Sequence, residues 1–315
     1  MKKELQVALI QAQSQSTKIS ENLKNVLKLA EEAVQKGAKL LVFSENFDTG
    51  YCVKSKDFAI NFDSMESKTF QALLGFAKKY QIYLVGCVIE KEGENFYNTA
   101  FIMDKKGIVG KYRKIYLWEE ESQRFQKGED YPIFELKFKD FSTKVGLQIG
   151  YEIGLNEGAK ILALKGAEIL IYPSAFPKAA KYVWNISSRA RALENNVFVL
   201  AANHCGSEIN PYYQKLDFCG RSRIINPKGK VLSKAKESDK VVLATLNFNE
   251  IQKAKKVMDY LSGIDFTAQI KHLQEYQKAQ QKGKKATNAI KETKEVAAKE
   301  TKEVKETTKE VAKKD

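Results

Sequence analysis

The hydrophobic positions of this chain alternate between short continuous runs and stretches with helical spacing. Apolar runs predict buried strands at residues 5–11, 38–44, 82–90, 144–149, 169–172, 197–202 and 241–246. Between them, apolar residues recur every three or four positions and predict helices at 19–37, 68–80, 158–165, 182–195 and 248–261. Segments that flank Gly-containing turns predict two hairpins, 98–104 with 108–113 and 218–225 with 231–235.

The alternation of strands and helices predicts an α/β fold. The two hairpins indicate that its sheets are not purely parallel. The alternation alone is compatible with a sandwich of two sheets and with a single doubly wound sheet.

The segment around Gly150 combines an apolar strand, a sharp turn and a helix. The strand is 144–149, the turn reads Gly-Tyr-Glu, and residues 157–164 have helical spacing. A strand-turn-helix junction is where α/β hydrolytic enzymes expose a nucleophile. Glycine fits such a turn because it has no Cβ, but it has no side chain that could attack a substrate.

Four segments, in chain order, resemble the nitrilase, or carbon-nitrogen hydrolase, superfamily. They are 41–51 (Leu-Val-Phe-Ser-Glu-Asn-Phe-Asp-Thr-Gly-Tyr), 112–117 (Tyr-Arg-Lys-Ile-Tyr-Leu), the Gly150 turn, and 172–203, which contains Tyr-Pro-Ser-Ala-Phe-Pro and Arg-Ala-Arg-Ala-Leu-Glu-Asn. Segments 218–222 and 226–229 also fit. The resemblance implies a four-layer αββα sandwich that hydrolyses non-peptide C–N bonds, and it implies a homodimer or higher homo-oligomer.

The resemblance also implies roles for individual residues. Glu45 corresponds to the general base, Lys114 to the lysine that stabilises the oxyanion, and Glu121 to a second catalytic glutamate. Gly150 stands where the family has its nucleophilic cysteine. The substrate-binding residues that the resemblance predicts are Tyr51, Tyr151, Glu152, Ser174 and Phe176.

A second departure from the family pattern lies close to Gly150. The family's Phe-Pro-Glu is Leu155-Asn156-Glu157 here, so the proline is missing as well. Two nearby departures favour natural loss of the nucleophile over an engineered substitution. Three hypotheses follow. The first is a homologue of enzymes that act on small amides or N-carbamoyl amines, inactive or nearly so in this chain. The second is a pseudoenzyme that binds a small amide or acid, or that serves as an assembly subunit, and the third is an active amidase altered at position 150.

Other residues are weak substitutes for the missing thiol. The phenol of Tyr151 is a poor nucleophile because its ordinary pKa is about 10. Cys205 follows His204, but adjacent residues on an extended segment point to opposite faces. Cys52, shortly after Glu45, is the least implausible substitute.

Three aromatic residues and one further histidine complete the candidates. Tyr182, Trp184 and Tyr212 are candidates for lining the substrate pocket, although the first two could equally pack a helix. His272 has no recognisable partner in the sequence.

The chain is strongly basic, with 53 Lys and Arg against 39 Asp and Glu and a formal charge of +14. Nucleic-acid sites usually combine arginine with clustered basic faces. Here the excess is lysine, spread along the chain and interleaved with glutamate. The composition therefore predicts a solubilising surface and no nucleic-acid partner, with a weak anionic partner as the alternative.

The cysteines predict free thiols in a reducing compartment. Cys52, Cys87, Cys205 and Cys219 show neither CxxC nor metal-ligand spacing, and we expect neither a metal nor an organic cofactor. No apolar run approaches the roughly 20 residues of a membrane span. The first apolar run is short and reads as a strand rather than a signal peptide. A cytoplasmic protein with no membrane partner is expected.

The composition predicts three regions: a hydrolase domain at 1–262, an extension at 263–280, and a low-complexity Lys/Glu/Thr tail at 281–315. Near-repeats in the tail place Val296, Val304 and Val311 eight and seven residues apart. One valine per two helical turns is too little apolar surface to bury. The tail is therefore predicted to be disordered or a solvated helix, with self-association or a basic tether as alternatives.

Overall fold

A computed structural model describes residues 3–209 and 214–281 of the chain. The chain divides into two compact units, Met1–Ser262 and Gly263–Asp315. In the second unit, residues 267–281 are helical. The tail was predicted to be disordered or a solvated helix. Its residues from 282 onward lie outside the described part of the chain.

The first unit contains fifteen strands and seven α-helices among the described residues. The strands are β1 (Glu4–Gln11), β2 (Leu40–Phe43), β3 (Ile60–Asn61), β4 (Tyr83–Glu92), β5 (Asn95–Asp104), β6 (Gly107–Arg113), β7 (Ile133–Lys137), β8 (Ser142–Leu147), β9 (Ile169–Ser174), β10 (Phe198–Asn203), β11 (Ser207–Ile209), β12 (Lys215–Asp217), β13 (Arg223–Ile225), β14 (Val231–Lys234) and β15 (Lys240–Asn247). The helices are α1 (Ile19–Gln35), α2 (Ser55–Phe58), α3 (Lys68–Tyr80), α4 (Glu121–Arg124), α5 (Asn156–Leu164), α6 (Lys181–Asn195) and α7 (Asn249–Val257). Short 3-10 helices lie at Gly150–Gly154 and Lys178–Ala180.

Two mixed sheets form the centre of this unit. The first has the strand order β15-β1-β2-β4-β5-β6, with β3 paired to β4, and the second has the order β14-β13-β10-β9-β8-β7. The inner strands β1, β2 and β4 are parallel, as are β8, β9 and β10. Antiparallel strands flank both parallel sets, so the predicted mixture of crossovers and hairpins is confirmed.

The sheets pack face to face, and helices cover both outer faces. Alternate residues of β1 show this, because Val7 and Leu9 join an apolar cluster shared with the second sheet, whereas Ala8 and Ile10 pack with α1 and α3. On the far side, α5 and α6 cover the second sheet through a third cluster that includes Trp184. The fold is the four-layer αββα sandwich that the resemblance implies, and a doubly wound single sheet is excluded.

Local sequence explains where several helices begin and end. Ser67 caps α3 by accepting a hydrogen bond from the backbone N–H of Phe70. Gln81 ends α3 and Asn196 ends α6, each in the left-handed conformation. The outer helices therefore have fixed lengths over the sheets.

The sequence patterns missed several short elements. The strands β3, β7, β11 and β12 were not predicted, and the predicted strand 218–225 shortens to β13. The last predicted helix ends at Val257 rather than at residue 261. Short strands lack the periodicity that distinguishes them from loops. Among the described residues, no helix has the length and apolar character needed to cross a membrane.

A glycine in β6 permits the two sheets to approach closely. A Cβ built on Gly110 would lie 2.1 Å from Cε1 of Phe134 on β7. We expect Gly110→Ala to lower the free energy of unfolding by about 1–3 kcal/mol, because the ring cannot yield without repacking. Urea unfolding followed by circular dichroism measures this.

Gly75 on α3 provides the matched control. A Cβ there would meet no atom within 4 Å. Gly75→Ala should therefore stabilise the protein by about 0.5–1 kcal/mol through helix propensity alone. Equal effects of the two substitutions would contradict the packing described here.

Candidate active site

A group of polar side chains lies at the carboxyl ends of the parallel strands, where ligands of open α/β sheets usually bind. Glu45 follows β2 of the first sheet, and Gly150 and Ala175 follow β8 and β9 of the second. Lys114 follows β6. The two packed sheets therefore bring together residues that are far apart in sequence.

Lys114 is the centre of this group. Its Nζ atom donates to Oε1 of Glu45 at 3.0 Å and to Oε1 of Glu121 at 2.8 Å. All three side chains are at most 2% exposed. Asn98 on β5 donates from Nδ2 to the same two oxygens, at 2.7 Å and 3.2 Å. The structure thus brings together the three charged residues that the resemblance named.

Glu121 has further donors that fix its carboxylate. The hydroxyl of Tyr51 donates to Oε1 at 3.1 Å, and the backbone N–H of Trp118 donates to Oε2 at 2.7 Å. Tyr51 is itself buried. Both oxygens of Glu121 are therefore held by the protein.

Burial and mutual charge shift the pKa values of this group. Burial raises the pKa of Glu45, the positive charge of Lys114 opposes this shift, and Glu121 adds to it. Burial disfavours the charge on Lys114, but the carboxylates of Glu121 and Glu45 outweigh it and the pKa of Lys114 is raised. Lys114 is consequently a permanent cation, and Glu45 is a proton acceptor with a raised pKa.

Gly150 faces the carboxylate of Glu45. Its φ angle is +47°, and a Cβ built on it would lie 2.4 Å from Oε2 of Glu45. That oxygen accepts a hydrogen bond from the backbone N–H of Ala175 at 2.9 Å. The carboxylate of Glu45 therefore occupies the space into which a side chain at position 150 would extend.

Glu152 anchors the turn that carries Gly150. Its Oε1 accepts hydrogen bonds from the Tyr112 hydroxyl at 2.6 Å and from the N–H groups of Ile115 and Tyr116 at 3.0 Å and 3.1 Å, and its Oε2 accepts from the N–H of Ile149 at 2.8 Å. Burial raises its pKa, and the hydrogen bond from Tyr112 opposes the shift. The side chain ties the turn to the segment after Lys114, so its oxygens are engaged by the protein.

The remaining residues predicted to bind substrate are Ser174, Phe176 and Tyr151, and they differ in how far they are buried. Ser174 is buried, and its carbonyl accepts hydrogen bonds from the N–H groups of Glu45 and His204. Phe176 packs on Trp184, with ring centroids 5.3 Å apart. Tyr151 is 39% exposed. Ser174 thus supports the backbone of Glu45.

The aromatic candidates for the pocket lie away from the charged group. Trp184 is fully buried in the core beneath α6, whereas Tyr182 is 68% exposed. Tyr212 lies outside the described residues.

The sequence patterns gave no positioning role to Cys87, Asn98 or His204, which all contact this group. Cys87 donates from Sγ to Oδ1 of Asn98 at 3.1 Å, which turns the Asn98 amide nitrogen toward the two carboxylates. The His204 ring donates from Nε2 to the carbonyl of Glu45. The one signal for Asn98 was its place in an apolar strand, because asparagine is depleted in strands.

Glu208 on β11 holds the turn that carries Tyr51. It accepts hydrogen bonds from the N–H groups of Tyr51 at 3.1 Å and Cys52 at 2.9 Å, and from the Ser16 hydroxyl at 2.9 Å. Through Tyr51, this turn contacts Glu121. The position of Glu121 therefore depends on a strand that no sequence pattern predicted.

A cavity of about 480 Å³ lies beside Glu121, and neither Glu45, Lys114 nor Gly150 is among its lining residues. Tyr51, Cys52, Trp118, Glu121 and Arg124 are among the residues that line it. Burial, with the nearby charge of Glu208, raises the pKa of Cys52 to about 12. Cys52 is therefore a protonated thiol at neutral pH and a poor nucleophile.

The remaining candidates do not form a second reactive site. Cys205 donates to Oδ1 of Asp239 at 3.2 Å, away from the His204 ring. His272 is exposed and contacts Glu275. Among residues 3–209 and 214–281, no group of three or more His, Cys, Asp or Glu side chains could hold a metal ion.

The arrangement can take up a proton at Glu45 and stabilise negative charge with Lys114. Comparisons with known proteins show which proteins this chain is similar to. The carbon-nitrogen hydrolase family matches residues 6–256. A nitrilase of Pyrococcus abyssi is 35% identical over 244 residues, covering 76% of this chain and 87% of the relative. An omega-amidase of Xenopus tropicalis is 31% identical over 249 residues, covering 75% and 87%.

Solved structures show the same similarity. A Saccharomyces cerevisiae member of the nitrilase superfamily aligns with a TM-score of 0.73 at 28% identity, covering 81% of this chain and 94% of that one. A Glu-to-Gln variant of an amidase of Nesterenkonia sp. AN1, solved with acrylamide added at its active-site cysteine, aligns with a TM-score of 0.70 at 26% identity, covering 85% and 98%.

The anchoring role of Glu152 can be measured by substitution. In Glu152→Gln, one acceptor oxygen becomes an amide group that opposes backbone N–H donors. We expect a loss of about 2–4 kcal/mol in unfolding free energy, because buried donors lose their acceptor. Glu157→Gln, which removes the same charge at an exposed position of α5, is the control. Equal losses in both variants would argue against the anchor.

The contact between position 150 and Glu45 can be separated from backbone strain. Gly150→Ala should cost about 1–2 kcal/mol for the left-handed conformation and more for displacing the Glu45 carboxylate. Gly93 has a φ of +58° with no atom within 4 Å of a built Cβ, so Gly93→Ala carries only the backbone cost. If chemical denaturation shows the same loss for both, Glu45 does not fill the space beside Gly150.

Proposed function

Because this chain belongs to the carbon-nitrogen hydrolase family, we propose that it keeps the family's site for a small amide or N-carbamoyl amine but lacks the thiol that would attack it. The chain as it stands is then inactive or nearly so. The observation that carries the proposal is the intact buried set of Glu45, Lys114 and Glu121 beside a glycine.

The cost of burying this set supports a retained binding role. Two carboxylates and an ammonium removed from water are expensive, and hydrophobic residues of similar size would often be as stable. A charged set kept in place fits a site that still meets a polar ligand. The cavity of about 480 Å³ that reaches Tyr51 and Glu121 is large enough for a small molecule.

The proposed ligand class follows from the chemistry of the site. Lys114 offers positive charge to a polarised carbonyl oxygen, and Glu45 offers a carboxylate to an amide N–H. The names of the relatives, a nitrilase and an omega-amidase, agree with a small amide or nitrile. Glu45 with a bound water would give at most residual turnover, because losing one member of a catalytic unit removes most of its rate.

A pseudoenzyme that acts through assembly is the second candidate. Tyr182, Ile186 and Leu193 lie on one side of α6, at spacings of four and seven residues, and are 68%, 67% and 47% exposed. A stripe of this kind fits a second copy of the chain. We therefore include a homodimer or higher homo-oligomer in the proposal.

A cytoplasmic location is also part of the proposal. Cys52, Cys87, Cys205 and Cys219 are all buried free thiols. Thiols persist in this form in reducing compartments.

Restoring the thiol tests the proposal. We expect Gly150→Cys to release ammonia from a panel of amides, N-carbamoyl amines and nitriles, with kcat at least about 10³-fold above the unaltered chain. In that variant the displaced Glu45 carboxylate would accept the thiol proton, and Lys114 would stabilise the oxyanion. Coupled ammonia assays measure the rates.

Gly150→Ala is the control, because it adds the Cβ without the sulfur. Turnover by the unaltered chain at a rate close to that of Gly150→Cys would overturn the claim of inactivity. No turnover by the unaltered chain or by Gly150→Cys would show that other residues of the pocket have also lost their catalytic arrangement, which favours the assembly role. An active amidase altered at position 150 predicts the same rescue, and the gene's own codon there distinguishes that case.

A further inference from the structure

Arg223 is a buried arginine without an acidic partner. It begins β13, next to α6, and only 4% of the residue is exposed. Its guanidinium lies 6.0 Å from the ring centroid of Trp184. Arginine is almost never buried to this extent unless it is paired.

The hydrogen bonds of Arg223 go to neutral groups. Nε donates to the carbonyl of Arg221 at 3.1 Å, and Nη2 donates to Oδ1 of Asn185. Among residues 3–209 and 214–281, Nη1 has no acceptor and no carboxylate lies within ion-pair distance of the guanidinium. Within the protein its positive charge meets two neutral oxygens, and Nη1 is not among the fully buried polar atoms that lack a partner.

Two other arginines of the described residues, one partly buried and one buried, are paired with carboxylates. Arg113 contacts Glu90 and Glu92, and Arg191 contacts Glu194. Among the described residues, Arg223 is the buried arginine that has no acidic partner.

The charges around Arg223 are also positive. Burial, with the positive charges of Arg221 and Arg189, lowers the pKa of Arg223 to about 10, and Cys219 opposes this shift. Arg221 contacts Glu237 at 3.3 Å, but its Nε is buried without an acceptor. Arg189 donates to the carbonyl of Gly229 and is exposed. The cluster of Arg189, Arg221 and Arg223 thus has an excess of positive charge, a buried donor without an acceptor in Nε of Arg221, and an Nη1 of Arg223 without a protein acceptor among the described residues.

A charge buried without a counter-ion is strongly destabilising. Guanidinium groups match the planar or tetrahedral geometry of carboxylate and phosphate oxygens. We propose that the arginine cluster binds an oxyanion, a phosphate or carboxylate group of a small molecule, with Arg223 as the principal contact. Asn185 holds the guanidinium fork in place for this ligand.

The proposed site is separate from the candidate active site. The carbonyl of Arg221 accepts a hydrogen bond from Nε1 of Trp184 at 3.0 Å, and Trp184 packs on Phe176. The arginine cluster therefore contacts Trp184, and among the described residues none of its hydrogen bonds reaches Glu45, Lys114 or Glu121. An anion there would bind whether or not position 150 carries a thiol, so the inference does not rest on the proposed function.

Thermal unfolding of the full chain tests the proposal, with chloride, phosphate and acetate compared at equal ionic strength and pH. We expect near-saturating phosphate to raise Tm by about 2–4 °C, because a ligand that binds only the folded state stabilises it. Acetate should act similarly if a planar carboxylate is preferred. Arg223→Gln should abolish the response and should not lower Tm in chloride, because it removes an uncompensated buried charge.

Two further variants complete the design. Arg189→Gln, at an exposed position, should raise the phosphate concentration at half-response several-fold without affecting folding. Lys256→Gln removes one charge from the exposed end of α7 and should respond like the unaltered chain.

Two outcomes would overturn the proposal. The first is an equal phosphate response in the unaltered chain and Arg223→Gln. The second is no anion response in the unaltered chain, together with a lower Tm for Arg223→Gln in chloride, which would make Arg223 purely structural. If light scattering showed that this variant also loses oligomers, a carboxylate of a second copy would be the counter-ion.

Discussion

The ammonium of Lys114, buried between two carboxylates, is the interaction on which the site depends. A lone charge at this depth would be intolerable, and the pair of glutamates makes it permanent. Each partner comes from a different part of the chain: Glu45 from the end of β2, Glu121 from the start of α4, and Asn98 from β5. These charges are buried, so water cannot compensate for an error in their positions. The sandwich therefore has to hold the three segments in a fixed arrangement.

The second constraint is the space beside Gly150. The turn keeps its backbone conformation because Glu152 accepts four hydrogen bonds from the protein. The carboxylate of Glu45 lies in the volume of the absent side chain, held there by the N–H of Ala175. A buried carboxylate and a buried ammonium are thus present beside a position that has no side chain. We propose that this chain binds a small amide without hydrolysing it.

Apolar patterns predicted the α/β class, whereas the four-layer sandwich and the charged residues were implied by the resemblance to the nitrilase superfamily. The strands and long helices follow from apolar periodicity, since one face of each must be buried. Glu45, Lys114 and Glu121 were identified through the resemblance to the nitrilase superfamily, because no local pattern indicates that they lie close together. Asn98 and Glu208 were missed, since each acts through a contact with a residue distant in sequence. Glu152 was expected to bind substrate, and its oxygens instead accept hydrogen bonds from the protein's own backbone and from Tyr112.

The most direct test is the rate at which acrylamide alkylates the thiol of the Gly150→Cys variant, followed by intact-protein and peptide mass spectrometry. A site preorganised around Glu45 and Lys114 should activate a thiol at position 150, so that alkylation occurs there first and slows when Glu45→Gln is added. The four native cysteines should remain unmodified, because burial raises the pKa of each. If the introduced thiol reacts no faster than the same thiol in urea, the charged group does not constitute a preorganised hydrolytic site.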